Sequence, residues 1–234
     1  MPLSVSNLYS GYGKVRIVQD VSMSIGEGEI VAVIGRNGVG KTTLMKTLIG
    51  IIGTLHGKIE FNGRDISRLS SSRRARLGIG YVPQGRGIFT RMSVGDNLTM
   101  GERVGDVRSV NRQRVFQFFP ILQERLSQKA GSLSGGEQQQ LAFGRILAGQ
   151  PELILLDEPS EGIQPNIVQE IGRIINRLRQ EEGLTVVIVE QNLELIHAVA
   201  DRCIVMDKGE IIAELTAEEI KDPEVARRYL AIAT

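Results

Sequence analysis

The stretch EIVAVIGRNGVGKTTLMKTLIG, residues 29–50, constrains this chain more than any other. A short apolar run at residues 30–34 reads as a buried strand. It leads directly into GRNGVGKT, residues 35–42, which fits G-x-x-x-x-G-K-[ST], and then into a helical pattern ending at Gly50. Strand, glycine loop and helix in that order form a phosphate-binding loop. Glycines let backbone N–H groups close around phosphate oxygens, and the helix N-terminus adds partial positive charge. Gly35, Arg36, Asn37, Gly38, Val39, Gly40, Lys41, Thr42 and Thr43 are therefore expected to cradle a nucleotide. Lys41 reaches the β- and γ-phosphates on this reading, and Thr42 ligates Mg2+.

The same grammar recurs downstream. ELILLDE (152–158), TVVIVE (185–190) and CIVMD (203–207) read as further short buried strands, with helical patterns at about 136–148, 166–181 and 193–200. Buried strands alternating with helices predict a parallel sheet covered on both faces. The N-terminal part differs: LSVSNLYS, RIVQDVSMSI and GKIEFNG look like antiparallel strands joined by short turns. Residues 85–132 are less apolar and read as a helical insertion. The expectation is one α/β domain over residues 1–234. It has a mixed core sheet and antiparallel β layer (about 1–84 and 133–234) and a helical subdomain (about 85–132).

Two further motifs carry chemistry. LILLDE delivers Asp157 and Glu158 at the end of an apolar strand, where two carboxylates are costly without a cation or a role. Asp157 is placed to hold Mg2+ through water, and Glu158 to orient and polarise an attacking water. In LSGGEQ, Ser134 and Glu137 form a capping box at a helix start. Gly135 and Gly136 leave the first-turn N–H groups uncovered, so this helix end can bind an anion.

Taken in this order, the motifs resemble those of the ATP-binding cassette (ABC) ATPases over essentially the whole chain. GRNGVGKT matches their Walker A motif, LSGGEQ their signature and LILLDE their Walker B. The resemblance implies a P-loop NTPase fold of the cassette type, with ATP and Mg2+ bound. Gln84 in YVPQG matches the glutamine that senses Mg2+ and the γ-phosphate, and Tyr12 in SGYGK the aromatic that stacks on adenine. In that family two cassettes sandwich two ATP molecules, so Ser134, Gly135, Gly136 and Glu137 would serve ATP held by a partner chain.

Two positions depart from the family pattern. A switch histidine that contacts the γ-phosphate is replaced by Gln191 in VEQN, and Gln164 in SEGIQP stands where aspartate is common. A glutamine amide donates a hydrogen bond but carries no proton or positive charge. Both departures resemble the ATPase subunits of branched-chain amino-acid and urea uptake systems, in which VEQN is typical of one of two non-identical subunits. That resemblance implies a second ABC ATPase subunit in a heterodimer, two integral membrane permease subunits and, indirectly, a solute-binding protein. The chain would then be peripheral on the cytoplasmic face of the membrane. Cassettes of lipid or lipopolysaccharide export systems look similar but usually keep the histidine.

Composition removes other classes. Twenty-eight basic against 27 acidic residues give no global bias towards nucleic acid. The apolar runs are far short of the roughly 20 residues of a membrane span, and MPLSVSNLYS does not read as a signal peptide. Cys203 reads as a small core residue, and His56 and His197 show no metal-ligand spacing. Residues 64–91 hold seven arginines and one aspartate without lysine or glutamate. They read either as a basic face towards anionic lipid or the membrane subunits, or as a solvated face. RMSVGDNL, residues 91–98, lies by resemblance where a membrane subunit docks.

Overall fold

The computed structural model describes residues 2–104 and 112–230; part of the expected helical insertion, residues 105–111, lies outside them. The chain begins with β1 (Leu3–Tyr12), β2 (Val15–Ile25), β3 (Ile30–Ile34), α1 (Lys41–Leu48), β4 (Thr54–Phe61), β5 (Arg64–Asp65), α2 (Ser71–Arg76) and β6 (Ile79–Val82). Next come α3 (Val94–Glu102), α4 (Arg112–Phe118), α5 (Pro120–Glu124), a 3-10 turn (Ala130–Ser132) and α6 (Gly135–Leu147). The remainder is β7 (Leu153–Asp157), α7 (Pro165–Glu182), β8 (Thr185–Val189), α8 (Leu193–Val199), β9 (Arg202–Asp207), β10 (Glu210–Thr216), α9 (Ala217–Lys221) and α10 (Pro223–Leu230).

The core sheet has the order β10-β9-β3-β8-β7-β6. The five strands from β9 to β6 are parallel, and β10 folds back antiparallel on β9. Strands β3, β7 and β8 are buried at every residue. Both sheet faces are covered, so a continuous apolar run replaces alternation. The pleat still sorts the side chains. Ile30, Ala32, Ile154, Leu156, Val186 and Ile188 face one core, shared with α3 to α8. Val31, Val33, Leu153, Leu155, Val187 and Val189 face the other, with α1 and the second sheet. That second sheet is antiparallel, in the order β2-β1-β4-β5. Helix α7 buries Val168, Ile171, Ile174, Ile175 and Leu178, one stripe at helical spacing.

Strands β6 and β10 were not expected. β6 reads IGYV, with Gly80 where a Cβ would lie 2.2 Å from the Ile146 side chain of α6, so the helix excludes any bulk there. β10 is an edge strand, mostly exposed, and its apolar run is only Ile211–Ala213 between glutamates. Residues 85–132 carry α3, α4 and α5, but 83–93 form an irregular connection. The buried Phe118 and Phe119 pack in this part, Phe119 beside Phe143 of α6.

The arginine-rich run does not form a single face. Arg74 is 1% exposed and donates to the carbonyl oxygens of Thr47, Leu48, Ser67 and Leu69 at 2.8, 2.8, 3.0 and 3.1 Å. It closes the C-terminal end of α1, where helix carbonyls lack intrahelical partners. Arg86 donates to the side chain of Gln138 at 3.0 Å. Arg64, Arg68, Arg73, Arg76 and Arg91 remain exposed.

Candidate functional site

Ligands of open α/β sheets bind beyond the carboxyl ends of the strands. Here β3, β8, β7 and β6 are successive neighbours, so the segments leaving them lie side by side. They bring residues 35–40, Gln191, Asp157 with Glu158, and Gln84 to one sheet edge. An open cleft of about 820 Å3 lies there, lined among others by Tyr12, Asn37, Gly38, Gly40, Lys41, Thr42, Thr43, Gln84, Glu158 and Gln191.

The glycine loop is built as its composition predicts. Gly40 has φ 109° and precedes α1 without a side-chain cap. Gly35 has φ 142°, and a Cβ on it would lie 2.2 Å from the Met206 carbonyl oxygen. Both positions exclude other residues, so the backbone can curl into an anion cradle. Lys41 is 5% exposed, and its Nζ donates to the carbonyl oxygens of Gly35 at 2.7 Å and Arg36 at 2.9 Å. Burial lowers its pKa, while Glu158, Asp157 and Glu190 pull it back up. Val39 is buried, and its carbonyl accepts from the Gly209 N–H.

Asp157 forms the floor. It is 1% exposed, accepting from Thr42 Oγ1 at 3.0 Å on Oδ1 and from the Tyr81 hydroxyl at 3.1 Å on Oδ2. Burial raises its pKa, and the two hydroxyl donors partly oppose the rise. Burial, reinforced by Asp157, also raises the Tyr81 pKa, so that phenol stays a donor. Thr42 and Asp157 offer hard oxygens, which suit Mg2+ shared with phosphate oxygens. No group of three or more His, Cys, Asp or Glu able to hold a metal occurs among the described residues. The donor set therefore fits a cation that arrives with a phosphate chain, not a cage made of protein alone.

Glu158 stands above that floor with φ 50° and is gripped from both sides. Gln84 Nε2 donates to its Oε2 at 3.1 Å and to Glu161 Oε2 at 2.9 Å. Gln191 Nε2 donates to its Oε1 at 2.9 Å and to Asn37 Oδ1 at 2.8 Å. The two amide hydrogens of Gln191 are thus spent on the carboxylate and the glycine loop. Tyr12, 53% exposed, stands at the rim.

Ser134, Gly135, Gly136 and Glu137 do not line this cleft. They start α6 with the expected capping box: Glu137 N donates to Ser134 Oγ at 3.3 Å, and Ser134 N to Glu137 Oε2 at 2.8 Å. Gly135 lies against Arg86, and Gly136 against Ile167. Gln164 precedes α7 without a side-chain cap bond. Sequence reasoning missed Tyr81 and Glu190. The only signal for Tyr81 was its place three residues before Gln84, and for Glu190 its place at the polar end of an apolar strand.

The family model described as "ABC transporter" matches residues 18–161. The chain is 44% identical to the high-affinity branched-chain amino acid transport ATP-binding protein BraG of Pseudomonas aeruginosa, over 97% of this chain and 99% of that one. It is 41% identical to the lipopolysaccharide export system ATP-binding protein LptB of Escherichia coli, over 97% and 96%. Among solved structures it resembles a nucleotide-free ATP-binding cassette from an ABC transporter, with TM-score 0.85, 28% identity and 99% of both chains covered. It also resembles the ADP conformation of an ABC transporter cassette, with TM-score 0.84, 28% identity, and 99% and 98% covered.

Proposed function

The chain belongs to the ABC transporter family, and we propose that within it the chain is the ATP-hydrolysing subunit of an importer for branched-chain amino acids or urea. ATP is the substrate and Mg2+ its companion ion. The observation that carries the importer reading is Gln191, seated between Asn37 and Glu158 where the family pattern has a histidine. The similarity to BraG along the full length supports the same branch. A second reading, the ATPase of a lipid or lipopolysaccharide export system, is supported by the 41% identity to LptB.

Phosphoryl transfer to water rests on positioning and electrostatics. The N–H groups of residues 35–42 and the Lys41 ammonium hold the β- and γ-phosphates. Thr42 Oγ1, and Asp157 through water, would hold Mg2+, which would neutralise phosphate charge. Glu158 accepts a proton from the attacking water, and the Gln84 and Gln191 amides fix the direction of its two oxygens. Tyr12 stacks on the adenine. Ser134, Gly135, Gly136 and Glu137 complete the ATP site of a second cassette, which we take to be a non-identical chain.

No helix among the described residues is long and apolar enough to cross a membrane. On this reading, which the family and the likeness to BraG support, transport runs through separate permease subunits at the cytoplasmic face. Their docking place is residues 91–98, which lie between Phe89 and Met100, two exposed residues that line a groove of about 440 Å3. Tyr81 lines this groove as well as holding Asp157. The experiment is uptake of labelled leucine, isoleucine, valine and urea in cells lacking only this chain, with complementation. Loss of the three amino acids assigns one solute and loss of urea the other. Intact uptake together with defective lipopolysaccharide export overturns the importer reading.

A further inference from the structure

Glu190 has no place in the mechanism above, yet it is a carboxylate only 3% exposed at the edge of the cleft. It follows β8 directly, and each hydrogen bond of its side chain is accepted from a backbone N–H. Oε1 accepts from Gln191 N at 2.7 Å and Asn192 N at 2.9 Å. Oε2 accepts from Ser160 N at 3.2 Å. The first two donors belong to the turn that carries Gln191, the third to the turn that carries Glu158 and Glu161. A single side chain thus clasps the two segments whose side chains meet at Glu158 Oε1. A second bond, Glu158 N to the Val189 carbonyl at 2.9 Å, joins the same segments from the backbone side.

We propose that Glu190 is a positioning residue for hydrolysis: it locks the Gln191 turn to the Glu158 turn, and so holds the Gln191 amide on the general base. The inference rests on the roles given above to Glu158 and Gln191. Only a carboxylate suits the position, because it accepts at both oxygens and donates at neither. A carboxamide of the same size keeps one acceptor. With its oxygen on Gln191 N and Asn192 N, its NH2 faces the Ser160 N–H, donor against donor. Glu190→Gln therefore preserves the turn at residues 190–192 and cuts the link between the turns. Lys41 hydrogen-bonds to Gly35 and Arg36, and none of the Glu190 side-chain bonds reaches the glycine loop, so ATP binding should change little.

The test is ATP hydrolysis by the membrane complex purified through a tag on this chain. The share of this chain's own site is the part lost on Glu158→Gln. Glu190→Gln should lower the kcat of that share about 10- to 100-fold, the scale of a misplaced catalytic group, with KM for ATP changed less than about twofold. Glu190→Asp, which keeps both acceptors on a shorter arm, should recover part of the loss. Glu190→Gln combined with Gln191→Ala should be no slower than the slower single variant, because residues acting through one another are not additive. Hydrogen exchange should rise together at residues 158–164 and 190–193. Unchanged kcat, additive losses or a raised KM would each overturn the proposal. A Glu158→Gln variant with full activity would instead overturn the reading of the site, and this inference with it.

Discussion

Replacing Arg74 with methionine tests the least expected feature of the fold. Methionine matches the length of the arginine stem but offers no donor, so the four carbonyls now served by the guanidinium lose their partner. Those of Ser67 and Leu69 are half-buried and can turn to water. Those of Thr47 and Leu48 end α1 inside the second core and cannot; Thr47 keeps the Gly50 N–H at 3.0 Å, so Leu48 is the one left unpaired. An unsatisfied buried carbonyl costs roughly 1–3 kcal/mol, and relief from burying a cation, whose own pKa burial lowers, offsets part of the total. The net loss is about 2 kcal/mol, or about 5 °C in Tm for a chain of this length. Arg74→Lys keeps the charge but reaches fewer carbonyls, and should recover about half. Thermal unfolding of the purified full chain, followed by circular dichroism, reads both values. The upward shift produced by Mg2+ and ATP should survive in both variants, because the proposed phosphate cradle lies at the opposite end of α1. A fall below about 2 °C for Arg74→Met would refute the reasoning. It would mean that water reaches the end of α1 or that Arg74 contributes only packing.

Two further outcomes follow from the site and the groove. Burial lifts the Asp157 pKa above its ordinary 3.8, so the folded chain holds that proton more tightly, and stability falls as pH rises through the lifted value. Asp157→Asn should therefore raise the Tm of the nucleotide-free chain at pH 7 by a few degrees, on the order of 1 kcal/mol, with the gain shrinking in melts taken near the lifted pKa; a lower Tm at pH 7 would refute it, and Mg2+-dependent hydrolysis should be lost. Arg91 is exposed two residues from the groove-lining Phe89. Arg91→Glu should uncouple solute uptake from hydrolysis while basal ATPase persists, and parallel loss of both activities in reconstituted vesicles would count against docking there.

What the sequence disclosed was chemistry confined to short segments. The run at residues 30–34, the glycine loop and the start of α1 form one continuous unit, so the cradle around Lys41 could be read before any tertiary contact was known. Asp157 and Glu158 were legible because carboxylates that close an apolar strand need a reason to be there. Cys203 was legible as core because it opens the apolar strand segment Cys203–Met206. The missed features join segments distant along the chain. Tyr81 meets Asp157 across 76 positions, on a strand whose glycine and short length hid its periodicity. Glu190 reaches Ser160 across 30 positions. Arg74 gathers carbonyls from α1 and from the turn before α2, so a run that reads as surface charge sends one member into the core. The same division explains Gln191. Its oddness was visible as a residue type, but a glutamine in sequence reveals only two donors and an acceptor. That both donors are taken, by Asn37 and Glu158, depends on β3, β7 and β8 being neighbours in one parallel sheet. Gln191 is thereby tied to Glu158, the proposed general base, and a histidine placed there, with one ring nitrogen at each end, could not hold both partners from a single atom in the same way.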